Sequence, residues 1–265
     1  MLKEVQMNLN SKIKTRSLPI THEKVLDILT KYKPWNGKIL DLGCGEGYFS
    51  SLVAKKIIES GGQGSLKDRL FACDYDYEEF KYERIKADFC DCNEKLPYQD
   101  NTFDAVFSIE VIEHLENIFN FVNEIYRILK PGGVAVITTP NILNINSRIR
   151  FFILGFHLLY NPLPISSKDA KGLGGHINPV SCYYLAYAFK RAGFREIRFH
   201  TDRLKNSAKF LLFFFYLPIR ILEKLIMRKI KRDDLGVYIE NQEILREINS
   251  FPMLLGRTLI VEAIK

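Results

Sequence analysis

Short apolar runs alternate with amphipathic stretches along most of this chain, and that alternation predicts its elements. Runs near 38–42, 69–73, 84–87, 103–108, 133–138, 195–200 and 257–264 read as strands buried on both faces. Between them, 48–58, 117–129 and 181–192 carry helical spacing, the last ending at the stop signal Ala192-Gly193-Phe194. A further helical stretch, Glu23 to Tyr32, precedes the first strand. Strand alternating with helix predicts an α/β fold whose sheet is mainly parallel and covered on both faces. Residues 1–37 read as a helical flank or lid, and 38–265 as one domain with insertions at about 140–178 and 201–255.

The first strand leads into Lys38-Ile-Leu-Asp41-Leu-Gly43-Cys44-Gly45-Glu46-Gly47-Tyr48-Phe49-Ser50, a strand, a glycine turn and a helix start. Such a turn cradles a nucleotide because glycine lets the backbone approach a ligand where a Cβ would clash. The third glycine comes one residue early for a dinucleotide site, and Asp41 stands two residues before Gly43. A carboxylate there repels a pyrophosphate but suits a ligand carrying an ammonium group. S-adenosylmethionine has that ammonium and no phosphate. The second strand ends in Cys73-Asp74, an acid where a ribose needs an acceptor. The gap before it is about ten residues longer than the common spacing, and Gly61-Gly62-Gln63-Gly64-Ser65 reads as the loop that absorbs the excess.

Four further pieces follow in order: Ala87-Asp88-Phe89, Leu96-Pro97 through Phe103-Asp104, Glu110-Val111-Ile112-Glu113-His114, and Leu129-Lys130-Pro131-Gly132-Gly133. With the glycine turn, these resemble the class I S-adenosylmethionine-dependent methyltransferases over about residues 38 to 140. The E-V-x-E-H segment is similar to that of the ubiquinone-pathway O-methyltransferases and the small-RNA terminal ribose methyltransferases. The resemblance implies a Rossmann-like, doubly wound, seven-stranded sheet, mostly parallel, with an antiparallel C-terminal strand. It also implies that Asp41 and the backbone of Gly43, Cys44, Gly45 and Gly47 hold the methionine end. Asp74 would hold the ribose, Asp88 the adenine amino group and Phe89 the ring. Tyr48, Tyr75, Ser108 and Ile109 complete the implied cofactor-binding set.

Methyl transfer to a hydroxyl needs alignment, exclusion of water and a base for the hydroxyl proton. His114 is the first candidate, with Glu113 and Glu110 beside it; their spacing puts all three on one face if the segment is helical. Adding His176, from Gly174-Gly175-His176-Ile177-Asn178-Pro179, gives two carboxylates and two imidazoles. That donor set suits a divalent metal that could bind acceptor oxygens and lower their pKa. The plain alternative is structural, with the acids capping a helix start and His176 anchoring a loop.

Composition narrows the rest. The 265 residues are 47% hydrophobic and 26% charged, ordinary for a packed fold. Five cysteines in no paired framework argue for a reducing compartment, and no signal peptide is apparent, so the expected location is cytoplasmic. Much of the formal +7 charge gathers in 205–232, around Phe210-Leu-Leu-Phe-Phe-Phe-Tyr-Leu217-Pro218, with Pro218 expected to kink or divide any helix there. That run is shorter than the roughly 20 residues that span a bilayer, but it suits a helix lying at the inner face of a membrane. A cap on the domain or a dimer surface is the competing reading, and the oligomeric state stays open. The expected acceptor is a hydroxyl on a small molecule, glycan or lipid-linked compound. Asn141, Asn144, Asn146, Ser147 and Arg148 begin the first insertion, where they could bind hydroxyls or an anionic headgroup. Nucleic acid is disfavoured because the basic residues sit beside phenylalanines and leucines. A metal-dependent RNA ribose methyltransferase and a non-catalytic cofactor-binding regulator are the alternatives.

Overall fold

The computed structural model describes residues 13–15, 17–61, 64–165 and 175–265. Gly62, Gln63 and Gly174, from the loops singled out above, lie outside the described residues. The strands are β1 (Ile39–Leu42), β2 (Leu70–Asp74), β3 (Ala87–Phe89), β4 (Phe103–Ile109), β5 (Leu129–Pro140), β6 (Glu196–His200) and β7 (Thr258–Ile264). They form one sheet in the order β3-β2-β1-β4-β5-β7-β6. All pairings from β3 to β5 are parallel, and β7 inserts antiparallel between β5 and β6. This is the Rossmann-like class I arrangement that the sequence implies.

The central strands read as continuous apolar runs because both of their faces are covered. Along β4, Phe103 and Val106 face one core while Ala105 and Phe107 face the other. Helices α1 (Pro19–Tyr32) and α2 (Tyr48–Glu59) cover one face, through Val25, Ile28, Leu29, Val53 and Ile57. Helices α3 (Ile118–Ile128) and α5 (Cys182–Ala192) cover the other, through Phe121, Ile125, Leu185 and Phe189. Phe49 at the start of α2 meets Phe107 edge-on at 4.6 Å between ring centroids.

Two boundaries differ from the expectation. β3 is Ala87–Phe89 rather than 84–87, because its pairing follows β2 out to Asp74, which partners Phe89. β5 begins at Leu129, since Leu129 already pairs with Phe103 before a register shift carries the glycine turn past it.

The insertions are helical: α4 (Ile145–Leu154) in the first, then α6 (Asn206–Asp233), α7 (Leu235–Glu247) and α8 (Phe251–Leu255) in the second. They share a small separate core in which Ile145, Ala208, Leu212, Leu254 and Leu255 pack together. Pro218 does not divide α6, which is a single helix of 28 residues. Its ring is exposed, and, lacking an N–H, it leaves the Phe214 carbonyl four residues earlier without its helical donor. Polar ties fasten the α1 flank to the far end of the sheet. Thr21 donates to Asp202 at 2.9 Å, and Tyr32 donates to Glu262, which also accepts from Arg198 at 2.8 Å.

Phe107→Ala removes a fully buried ring from the crossing of α2 and the sheet. We expect it to lower unfolding free energy by about 3–5 kcal/mol in a denaturant titration, whereas Phe152→Ala, at an exposed site, stays within about 0.5 kcal/mol.

Candidate active site

An open cleft of about 500 Å³ lies at the C-terminal ends of β1, β2 and β4. Between β1 and β4 the strand order reverses, and the loops leaving those two strands part to opposite sides. The glycine turn after β1 forms the floor. Gly43 has φ +81°, and a Cβ there would stand 2.3 Å from a Val111 methyl carbon. Gly45, with φ +50°, has no heavy atom within 4 Å of the site where its Cβ would be, so that side of the turn is open to the cleft. The Gly45 amide donates to Asp74 at 2.8 Å, and Asp74 also accepts from the Asp76 amide at 2.9 Å. Asp74 therefore shapes the turn as well as presenting a carboxylate to the cleft.

Asp41 sits beneath the turn, only 3% exposed, with Ser50 of α2 donating to it at 2.5 Å. Burial raises its pKa from 3.8 to about 7, and the nearby Asp74 charge adds to the rise. An ammonium group set against Asp41 would relieve that penalty.

The opposite wall comes from the end of β4 and the loop after it. Glu110 adopts a left-handed backbone, φ 55°, rare for a residue with a Cβ and a mark of functional strain. Thr138 holds it there, accepting from its amide at 3.0 Å and donating to its carboxylate at 3.2 Å. Because of that kink the E-V-x-E-H segment is not a helix: only Ile112–His114 forms a 3₁₀ turn, so the expected single helical face does not exist. The chain brings its side chains to the cleft by another route. The backbone carbonyl of Glu113 accepts from Ile177 at 2.9 Å and from Asn178 at 3.0 Å, and the Asn178 side chain donates to the Leu115 carbonyl at 2.9 Å. These bonds strap residues 175–178 onto the turn and stand His176 against His114, their rings 4.8 Å apart and nearly perpendicular.

His114 Nδ1 lies 2.9 Å from the Gly175 carbonyl, which can only accept, so the proton sits on Nδ1 and Nε2 keeps its lone pair. Glu113 beside it is fully buried, and among the described residues neither of its carboxylate oxygens has a hydrogen-bond partner. Burial first, and the Glu110 charge second, raise the Glu113 pKa well above the carboxylate range. Burial likewise raises Glu110 to about 7 and lowers His176. Glu113, His114 and His176 each offer one ligand atom, all within 4.8 Å of one another; Glu110 lies outside that group.

Of the residues singled out from the sequence, Asp41, Gly43, Cys44, Gly45, Tyr48, Asp74, Tyr75, Ile109, Glu110, His114 and His176 line the cleft together. Gly47, Asp88, Phe89, Ser108 and Glu113 do not line it. Gly47 caps α2, and Ser108 and Glu113 are wholly buried. Phe89 is half exposed between Tyr75 and Tyr77, and Asp88 accepts from Tyr98 at 3.4 Å. Sequence reasoning did not single out Lys14, Thr15, Ser17, His22 or Arg257, which also line the cleft. The first four carried no motif; the Lys14 amide reaches Glu46 at 2.8 Å and carries the flank over the turn. Arg257 had a readable signal: an antiparallel last strand starts where β5 ends, with Thr258 beside Pro140.

Comparison with known proteins agrees with this geometry. A family model described as a methyltransferase domain matches residues 40–137. The chain is 30% identical over 171 residues to a ubiquinone/menaquinone biosynthesis C-methyltransferase of Desulfotalea psychrophila, covering 63% of this chain and 69% of that one. It is 30% identical over 145 residues to a probable S-adenosylmethionine-dependent methyltransferase of Mycolicibacterium smegmatis, covering 47% of this chain and 52% of that one. It is 31% identical over 130 residues to the mitochondrial ubiquinone biosynthesis O-methyltransferase of Rattus norvegicus, covering 47% and 38%. It thus spans about half or less of the length of the latter two. A crystal structure of an S-adenosylmethionine-dependent methyltransferase from Archaeoglobus fulgidus shares the fold, with a TM-score of 0.52 at 20% identity over 92% of this chain and 94% of that one. This chain belongs to the class I S-adenosylmethionine-dependent methyltransferases.

The raised pKa of Asp41 gives a signed expectation. Its folded value of about 7 exceeds its unfolded value, so the ligand-free protein loses stability as pH rises from about 4 to about 7. S-adenosylhomocysteine, which keeps the ammonium, should therefore raise the melting temperature more at pH 8 than at pH 6. Asp41→Asn should flatten most of that difference and weaken the ligand's effect at both values, as read by thermal-shift titration.

Proposed function

We propose that this chain transfers a methyl group from S-adenosylmethionine to a hydroxyl of a small, glycan or lipid-linked acceptor, with His114 as the base. The observation that carries the reading is the Gly175 carbonyl on His114 Nδ1, which places a proton on that nitrogen of a histidine lining the cleft. Asp41 and the glycine turn would hold the methionine end and Asp74 the ribose; the cofactor supplies an electrophilic sulfonium methyl. Tyr48 and the flank residues Thr15 and Ser17 border the same cleft and limit water there. His114 Nε2 would take the acceptor's proton as its oxygen attacks the methyl carbon and the carbon–sulfur bond breaks, leaving S-adenosylhomocysteine. Arg257, on the cleft wall, has no carboxylate within ion-pair distance among the described residues, so it favours an acceptor with an anionic or strongly polar group. The names of the rat and Desulfotalea relatives, both from ubiquinone biosynthesis, support a small-molecule acceptor.

A second reading rests on the orphaned Glu113 carboxylate and the unpartnered His176 Nδ1. Buried donors without partners fit a divalent cation held by Glu113, His114 and His176, which would lower the pKa of an acceptor oxygen.

His114→Asn separates the readings from a folding defect. We expect methyl transfer from labelled cofactor to phenolic and lipid acceptors to fall about 10²- to 10⁴-fold while S-adenosylhomocysteine binding is unchanged. If chelator treatment alone abolishes transfer and added divalent metal restores it, the metal reading replaces the direct base. Unaltered transfer by His114→Asn removes both.

A further inference from the structure

Helix α6 carries a feature that methyl transfer does not use. One side of its first half, Ala208, Leu212 and Ile219, packs into the insertion core. The opposite side presents Phe210, Phe213, Phe214, Leu217, Ile221 and Leu225, all exposed and Phe213 83% so. Their spacing of 3, 4, 7, 11 and 15 residues from Phe210 makes one continuous apolar stripe on a helix. Burying a core face is ordinary; leaving an equal and opposite apolar face in water is costly, which marks an interaction surface.

Charge selects the partner. Lys209, Arg220, Lys224 and Lys231 run along one flank of the stripe, and Arg228 and Arg232 continue its line in the second half of the helix. The two acids of α6 are already engaged, Glu223 with Arg220 and Asp233 with Arg232. Lys209, Lys224 and Arg228 have no carboxylate within ion-pair distance among the described residues. A second copy of this chain fits poorly. Side-by-side helices running the same way would set cation on cation, and running oppositely would bury unpaired cations against phenylalanines. A surface with an apolar layer beneath an anionic one meets both halves. We propose that α6 is an interfacial helix that docks this protein on anionic lipid bilayers, with its stripe in the acyl boundary and its bases among the headgroups.

Two other observations agree. Among the described residues no helix is long and apolar enough to cross a membrane, so α6 lies on the surface rather than through it. The Phe214 carbonyl, freed by Pro218, needs a water partner and finds one at headgroup depth but not in hydrocarbon. A chain of packed rings also links the neighbouring helix α4 to the cleft wall. α4 packs against α6 and exposes Phe152, Ile153 and Leu154 beside it. From Phe151 of α4, rings in contact lead through His157, Tyr160 and His176 to His114.

Flotation with phosphatidylcholine vesicles, alone and mixed with phosphatidylglycerol, tests the proposal without assaying methyl transfer. The wild-type protein should float with the anionic vesicles, and less so as salt rises. Each basic side chain near an anionic surface contributes about fivefold, so Lys224→Gln with Arg228→Gln should weaken partitioning about twenty-five-fold. Phe213→Ser with Leu217→Ser should abolish flotation. Unchanged S-adenosylhomocysteine binding by both variants shows that they are folded. A wild-type protein that stays at the bottom with anionic vesicles overturns the proposal, whether it sediments as a monomer or as a dimer through this face. So does flotation that survives Phe213→Ser with Leu217→Ser.

Discussion

Every functional group described above depends on the reversal of strand order between β1 and β4. Parallel strands deliver their loops to one edge of the sheet, and at the reversal two adjacent loops diverge and leave a crevice. Asp41 and the glycine turn come to it from β1, Asp74 from β2, and Glu110 to His114 from β4. The crevice exists because both faces of these strands are buried under helices, which forces the backbone into register and fixes where each loop leaves. The cost falls on the acids: Asp41, Glu110 and Glu113 are all pushed toward the neutral form by burial. A site whose carboxylates are destabilised when empty is one that a cationic ligand stabilises.

The second constraint is a strap between distant parts of the chain. The His114 side is positioned by residues 175–178, whose backbone hydrogen bonds to Glu113 and whose Gly175 carbonyl sets the imidazole tautomer. The hydrogen bond to His114 Nδ1 thus comes from a segment 61 residues further along the chain and not from its immediate neighbours. The left-handed backbone at Glu110 is the local counterpart: it turns the chain out of β4 sharply enough for the strap to seat.

These two constraints explain what the sequence could and could not disclose. Buried parallel strands and a glycine turn are local signals, so β1, β2, β4, the helices α2 and α3 and the Asp41–Gly47 turn were readable directly. The antiparallel β7 was implied only by resemblance, because pairing order is not a local property. The condition under which Glu110, Glu113 and His114 would share a helical face is not met, because the left-handed backbone at Glu110, which has no periodic signature, precedes a short 3₁₀ turn. β3 was displaced because its limits are set by the reach of its neighbour and not by its own hydrophobicity. Pro218 was expected to kink or divide its helix, and α6 runs through it undivided: 28 residues with a packed inner face outweigh one lost hydrogen bond. Lys14 and Thr15 reach the cleft through tertiary placement alone, whereas Arg257 follows from where the antiparallel β7 begins.

The central claim is that the glycine turn at the strand reversal is the cofactor's seat, and calorimetry with S-adenosylhomocysteine tests it most directly. Gly45 is the informative position, since a side chain there enters open cleft and meets no protein atom within 4 Å of its Cβ. The account predicts saturable one-site binding by the wild-type protein and none by a folded Gly45→Leu variant. No heat from the wild-type protein at millimolar ligand, or equal binding by both proteins, would contradict it.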